Sequence, residues 1–170
     1  MDVTPSEAAL LDQITAAKER CDVESLCAVL AAHPASPLLV GSCCDALVRV
    51  VSGDAPACAA AVACGALDSV VRAVREHHAA PFALAASWAL MDDLMRQETA
   101  RASVAVDGGA LECAVASLGD MSENVVFSVL SALPFLTARA DHASRAVQLG
   151  MFKVRYLETY SRASHLHVYV

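Results

Sequence analysis

A glycine set between apolar residues recurs along this chain at an interval that few folds accommodate. The pattern reads Ala61-Val62-Ala63-Cys64-Gly65-Ala66-Leu67, then Ala105-Val106-Asp107-Gly108-Gly109-Ala110-Leu111, then Ala146-Val147-Gln148-Leu149-Gly150-Met151-Phe152. Gly65, Gly109 and Gly150 are separated by 44 and then 41 residues. Another 44 residues towards the N-terminus stands Cys21, followed by Asp22-Val23-Glu24-Ser25-Leu26, a degenerate fourth copy without the glycine. Periods of about 40–47 residues mark solenoids built from two- or three-helix units. A sharp turn between two packed helices needs a residue free of Cβ clash, often at positive φ. Asp68 and Glu112 follow in the first turn of the next helix, where the helix dipole favours an acid.

A second landmark keeps the same beat. Ala46-Leu47, Ala89-Leu90 and Ala132-Leu133 are each 43 residues apart. Alanine lets neighbouring helices touch, and leucine fills the core beneath. Apolar residues make up 56 % of the chain but aromatics only 5 %, so that core is mostly Ala, Val and Leu. Only seven Gly and six Pro in 170 residues are too few for a turn-rich sheet protein. The chain therefore reads as all-α. Each unit divides into a short first helix (about 54–64, 98–108 and 140–149), a second (about 22–32, 65–77, 109–119 and 150–161) and a longest third (about 37–51, 80–96 and 122–137). A helix at about 5–20 opens the first unit and caps that end with Leu10, Leu11 and Ile14 inward. Breakers sit between them, as in His33-Pro34-Ala35-Ser36-Pro37 and Ser52-Gly53-Asp54-Ala55-Pro56.

The segment Ala86-Ser87-Trp88-Ala89-Leu90-Met91-Asp92-Asp93-Leu94 resembles the third-helix signature of the armadillo family, A-x-W-A-L-x-N-L. The likeness covers about residues 20–160 and extends to the related HEAT class. It implies a right-handed α-solenoid of about four three-helix repeats, the first and last incomplete. They fall at about 5–52, 53–96, 97–138 and 139–161, within a single domain 1–170 with a tail at 162–170. In that family, third helices line a concave groove. The resemblance therefore implies a partner-binding groove contacted by Asp45, Arg49, Trp88, Asp92, Ser131 and Phe135, the pairs one helical turn apart on the three third helices. The family's import adaptors use repeated Trp and Asn ladders. Here one unit carries the Trp, and Asp92 stands in the Asn position, so a groove is implied but not recognition of nuclear-import signals.

Trp88, the single Trp, is either a groove anchor or a residue packed between repeats. In the first case Trp88→Ala weakens binding with little loss of fold. Asp92 is a candidate clamp for a Lys or Arg, whereas Asp93 reads as solvated helix surface. Pro134 within the third helix of its unit predicts a bend or an early end beside Phe135.

Charge narrows the partner. Residues 1–138 carry 17 acidic and 7 basic side chains, a net −10, whereas residues 139–170 carry five basic and two acidic, a net +3. Nucleic acid requires a basic footprint, so an acidic body points instead to a protein or peptide partner with basic groups. Contact between acidic body and basic end makes self-association through the C-terminal end the alternative. No stretch reads as a membrane span, since Ala55–Val74 is broken by Pro56, Gly65, Asp68 and Arg72. The acidic N-terminus lacks a signal-peptide n-region. Cys21, Cys27, Cys43, Cys44, Cys58, Cys64 and Cys113 are odd in number without a C-x-x-C, and most fall on apolar helical faces. They read as buried free thiols in a reducing, cytoplasmic compartment, with the nucleus left open.

Catalytic constellations do not emerge. Asp107-Gly108-Gly109 is a repeat turn and not a phosphate loop. His77-His78 are adjacent and point apart on a helix, which suits a capping or solvent role better than a metal. His165 and His167 lie in a tail, Ser164–Val170, that alternates with period two. The expectation is a protein-interaction scaffold with no cofactor, no metal and no enzymatic activity; the alternative is a structural or oligomerisation module joined through solenoid ends.

Overall fold

The structure, a computed structural model, describes residues 4–96, 98, 100–120 and 122–151. Among these residues it contains ten α-helices: α1 (Pro5–Glu19), α2 (Val23–Ala32), α3 (Pro37–Val51), α4 (Ala55–Ala63), α5 (Ala66–Glu76), α6 (Pro81–Arg96), α7 (Ala100–Asp107), α8 (Ala110–Asp120), α9 (Glu123–Leu136) and α10 (Ala140–Gln148). Each helix expected between residues 5 and 149 occurs, with its ends within two residues of the expectation. The expected helix at 150–161 and the tail 162–170 lie outside the described residues, apart from Gly150 and Met151.

Local chemistry accounts for the starts. Thr4 and Glu7 form a capping box on α1: the Glu7 amide donates to Thr4 Oγ1 at 3.2 Å and the Thr4 amide donates to the Glu7 carboxylate at 3.1 Å. Asp22, Ser36 and Asp54 cap α2, α3 and α4 by accepting from the Ser25, Leu39 and Ala57 amides. Pro5, Pro37 and Pro56 sit in first turns, where a missing N–H costs nothing.

The recurring glycines do what their spacing predicts. Gly65, Gly109 and Gly150 all adopt left-handed backbone, at φ +78, +96 and +79. The degenerate fourth copy behaves alike: Cys21 is the single non-glycine residue at positive φ (+54) among the described residues. An L side chain there costs about 1–2 kcal/mol, so the turn is retained against its local preference.

Packing repeats from unit to unit. α1 lies on α3, α3 on α6 and α6 on α9, while α2, α5 and α8 contact one another in the same order. Leu47, Leu84, Leu90, Met91, Leu94 and Met95 are fully buried between these layers. α3 and α6 approach closely at Gly41, where an added Cβ would stand 3.2 Å from Ala83 Cα and overlap the Phe82 ring. Polar ties also bridge units. The His77 ring meets the Pro34 carbonyl at 2.6 Å, Arg75 donates to the Gly108 carbonyl at 2.9 Å, and Arg145 donates to Glu112 at 2.6 Å. His77 is therefore a buried joint between units, not a solvated residue, and His78 beside it is exposed.

Proline 134 does not end its helix. α9 runs on to Leu136, and the Thr137 amide still reaches the Leu133 carbonyl at 3.0 Å. Proline tolerates this because it is exposed, so the carbonyl it leaves without a donor is close to water. Among the described residues no single helix is long and apolar enough to cross a membrane; α4 and α5 reach that length together but meet at 71° across the Gly65 turn.

Candidate binding surface on the third helices

Because α3, α6 and α9 pack in series, the six residues that share their register fall on equivalent turns: Asp45 and Arg49 on α3, Trp88 and Asp92 on α6, Ser131 and Phe135 on α9. Their environments differ sharply. Trp88 is 0 % exposed and is the largest fully buried side chain among the described residues. It packs between helices, so of the two roles open to it the packed one holds and that of a groove anchor is corrected. The cause is rotation about the helix axis: Trp88 sits with Leu84, Ser87 and Met91 on the face that α6 turns inward. Its indole Nε1 has no hydrogen-bond partner.

Asp92 is likewise covered, at 8 % exposure. One carboxylate oxygen receives Arg96 at 2.6 Å, a pair spaced one turn apart on α6, and the other is buried without a partner. Asp92 is thus engaged within its own helix and is no free clamp for a basic side chain. Arg96 is the residue that the sequence did not single out. Its side chain is 56 % exposed, and its guanidinium lies 5.4 Å from the centroid of the Phe135 ring on α9. That distance suits a cation–π contact worth about 0.5–1 kcal/mol at a partly exposed site. Arg96 therefore joins Asp92 to Phe135 across α6 and α9. Spacing alone offered one signal for it: an Asp-x-x-x-Arg step that also occurs at Asp45 and Arg49.

On α3 the Asp45 carboxylate takes Arg49 at 3.1 Å, and both side chains are exposed. Such a pair contributes about 0.3–0.5 kcal/mol, too little to shape the fold but enough to order the guanidinium. Ser131 donates its hydroxyl to the Phe127 carbonyl at 3.1 Å, so that group is occupied by its own helix. What these contacts leave at least partly exposed is the Arg49 guanidinium on α3 and, together on α6 and α9, the Arg96 guanidinium and the half-buried Phe135 ring.

Asp93, expected on solvated surface, is half-buried, and its thiol neighbour Cys58 contacts its main-chain carbonyl. Burial first, and the adjacent Asp92 charge second, raise its carboxyl above the ordinary carboxylate range. A carboxyl raised on folding costs stability wherever it is ionised, and the cost disappears below its unfolded pKa, near about 4. Asp93→Asn should therefore raise the melting temperature at neutral pH by roughly 2 °C, with the gain fading towards pH ~3. Calorimetry at the two pH values checks this, and a variant equally affected at both would contradict it.

The cysteines divide into two kinds. Cys27, Cys43, Cys44 and Cys58 are buried, and burial pushes the Cys27, Cys43 and Cys44 thiols up to about 12. Cys58 accepts a 3.1 Å hydrogen bond from Arg101, which also donates to the Leu94 carbonyl. Cys21 and Cys64 are exposed, contrary to a uniform reading of the cysteines as buried, because both sit at the turns that break the helices. Among the described residues no group of three or more His, Cys, Asp and Glu is arranged to hold a metal ion; His165 and His167 lie outside them.

At the far end of the stack, α9 and α10 leave an apolar concavity of about 290 Å³ lined by Leu130, Leu133, Pro134, Thr137, Ala143, Ala146, Val147 and Met151. Phe127 on α9 and Val147 on α10 are 73 % and 57 % exposed. No protein-family model, curated protein or solved structure matches this chain.

Proposed function

We propose that this protein is an interaction scaffold of the armadillo type, which binds a protein or peptide partner along the groove side of α3, α6 and α9 and performs no chemistry of its own. The observation that carries this is the Asp92–Arg96–Phe135 contact, which sets an ordered cation and an aromatic ring on the surface where two successive third helices meet. Arginine and aromatic side chains are the groups that most often dominate protein interfaces. The armadillo reading is supported by the 43-residue step of the third helices and by a left-handed residue at each turn from first to second helix. Partnered buried polar groups serve internal joints: His77 meets Pro34, Arg101 meets Cys58, and Ser87 meets Cys44. The acidic body, net −10 over residues 1–138, disfavours nucleic acid.

The test is capture from native extract with the parent chain and with an Arg96→Glu, Phe135→Ala double variant, followed by affinity measurement on whatever binds. Both residues are at least partly exposed, so the fold should persist, as circular dichroism will report. Loss of about tenfold or more in affinity is expected, the scale of one interface anchor. A partner held equally by both chains would end the assignment of this surface.

The second reading, association of copies through the stack end, is favoured by the exposed Phe127 and Val147 beside the apolar concavity. Light scattering separates the two. A mass that rises with concentration and returns to that of one chain in Phe127→Asp supports association, whereas a constant monomer mass removes it.

A further inference from the structure

We propose that Cys27 and Cys64 form a reversible disulfide, a thiol switch that ties α2 to the turn between α4 and α5 when a hydroperoxide reaches Cys64. The two residues are 37 apart in sequence and belong to different units, but α2 packs directly on α4 and α5. The Cys27 sulfur lies 4.0 Å from the Ala61 carbonyl in the last turn of α4. Cys64 caps that same helix, one residue before the left-handed Gly65. Cys64 follows Ala61 by one helical turn at that same helix end, so its side chain lies in the neighbourhood of the Cys27 thiol and, after burial, helps to raise it.

Their exposures differ in the way a two-step oxidation requires. Cys64 is exposed and meets the oxidant; Cys27 is 3 % exposed and meets only protein. Cys43, Cys44 and Cys58 are wholly buried and inaccessible to a first attack. Cys64 also stands at a turn, not within a helix, so a small movement of its side chain strains little hydrogen-bonded backbone. In a reducing compartment the pair rests as thiols and closes only under oxidant, the behaviour expected of a regulatory bond.

The chemistry balances with the hydroperoxide as sole co-reactant. The Cys64 thiolate attacks one peroxide oxygen, the O–O bond breaks, and the departing alkoxide leaves as the alcohol with the thiol's proton. Cys64 is then a sulfenic acid. The Cys27 sulfur attacks the Cys64 sulfur, the S–O bond breaks, and hydroxide leaves as water with the Cys27 proton. Two thiols have lost two electrons, and the peroxide has been reduced to an alcohol and water. Because burial and the nearby Cys64 hold the Cys27 thiol up at about 12, closure is the slower step. Its rate follows the thiolate fraction and so rises about tenfold per pH unit across the neutral range.

The experiment treats the folded chain with hydrogen peroxide, removes the oxidant, unfolds the chain in denaturant containing excess N-ethylmaleimide so that every remaining thiol is blocked as it appears, and maps cross-linked peptides by mass spectrometry. A Cys27–Cys64 cross-link that dithiothreitol reverses is expected, with the loss of two alkylatable thiols. Cys64→Ser should abolish it entirely. Cys27→Ala should arrest the reaction at a Cys64 sulfenic acid, trapped by dimedone. Should that variant not fold, the peptide map of the parent and of Cys64→Ser still decides. A disulfide mapped to another pair, or a Cys64 sulfenic acid in the parent chain that yields no Cys27 cross-link even when the pH is raised, would overturn the proposal.

Discussion

Replacing Trp88 with alanine is expected to cost about 3–5 kcal/mol of folding stability, the range for removal of a large buried aromatic. A domain of this size is held by roughly 5–15 kcal/mol, so the variant should be partly unfolded at physiological temperature. The reason is the position of the ring: it is wholly enclosed where α6 is itself packed on both α3 and α9, so no surface movement can refill the space. Trp88→Phe should be far milder, at about 1–2 kcal/mol, because it keeps one ring and also removes the Nε1–H that finds no partner. Urea unfolding of the two variants measures both. A loss under about 1 kcal/mol for alanine would place the side chain at the surface after all. The same burial means that weakened partner binding by Trp88→Ala would report unfolding and not a lost contact, so it cannot serve as the test that the sequence suggested.

The second large effect separates three leucines that the sequence cannot tell apart. Leu47, Leu90 and Leu133 each follow an alanine and are 43 residues apart. Leu47 and Leu90 are 0 % exposed, whereas Leu133 is only partly buried and lines the apolar concavity between α9 and α10. Leu47→Ala and Leu90→Ala should each cost about 3–5 kcal/mol, and Leu133→Ala roughly 1–2 kcal/mol, since a site at the edge can collapse or admit water. Equal losses at all three would show that Leu133 is covered as fully as its equivalents. Chemical denaturation of the three single variants provides the comparison, with an unchanged m-value as the control for an unaltered unfolded state.

The exposed end bears on the second functional reading. In a stacked array each unit buries its apolar face on the next, and a terminal face needs a cover. At the other end α1 lies on α3 and supplies one, using Ile14 and Ala17, both buried. At α9 and α10 the described residues leave Phe127 and Val147 largely open. The two proposed modes, partner binding along α3, α6 and α9 and association through this end, would use different surfaces. Arg96→Glu with Phe135→Ala should disturb the first and leave the second intact, and Phe127→Asp should do the reverse.

The sequence by itself determined the ten helices, their limits and their grouping, because those depend on local physics. Caps such as Thr4 and Asp54, prolines in first turns, and glycine at left-handed turns act within a few residues of where they stand. Even the missing glycine was legible, since the period reached Cys21 and the backbone there is left-handed as the pattern requires. Only the tertiary structure decided which side of each third helix faces inward. Successive residues turn about 100° around a helix axis, so one register can place Asp45 in solvent and Trp88 in the core, depending on how the neighbouring helices pack. It also decided which distant groups meet. Arg96 reaches Phe135, and Cys27 reaches the helix end that carries Cys64, through contacts between helices that no spacing along the chain encodes.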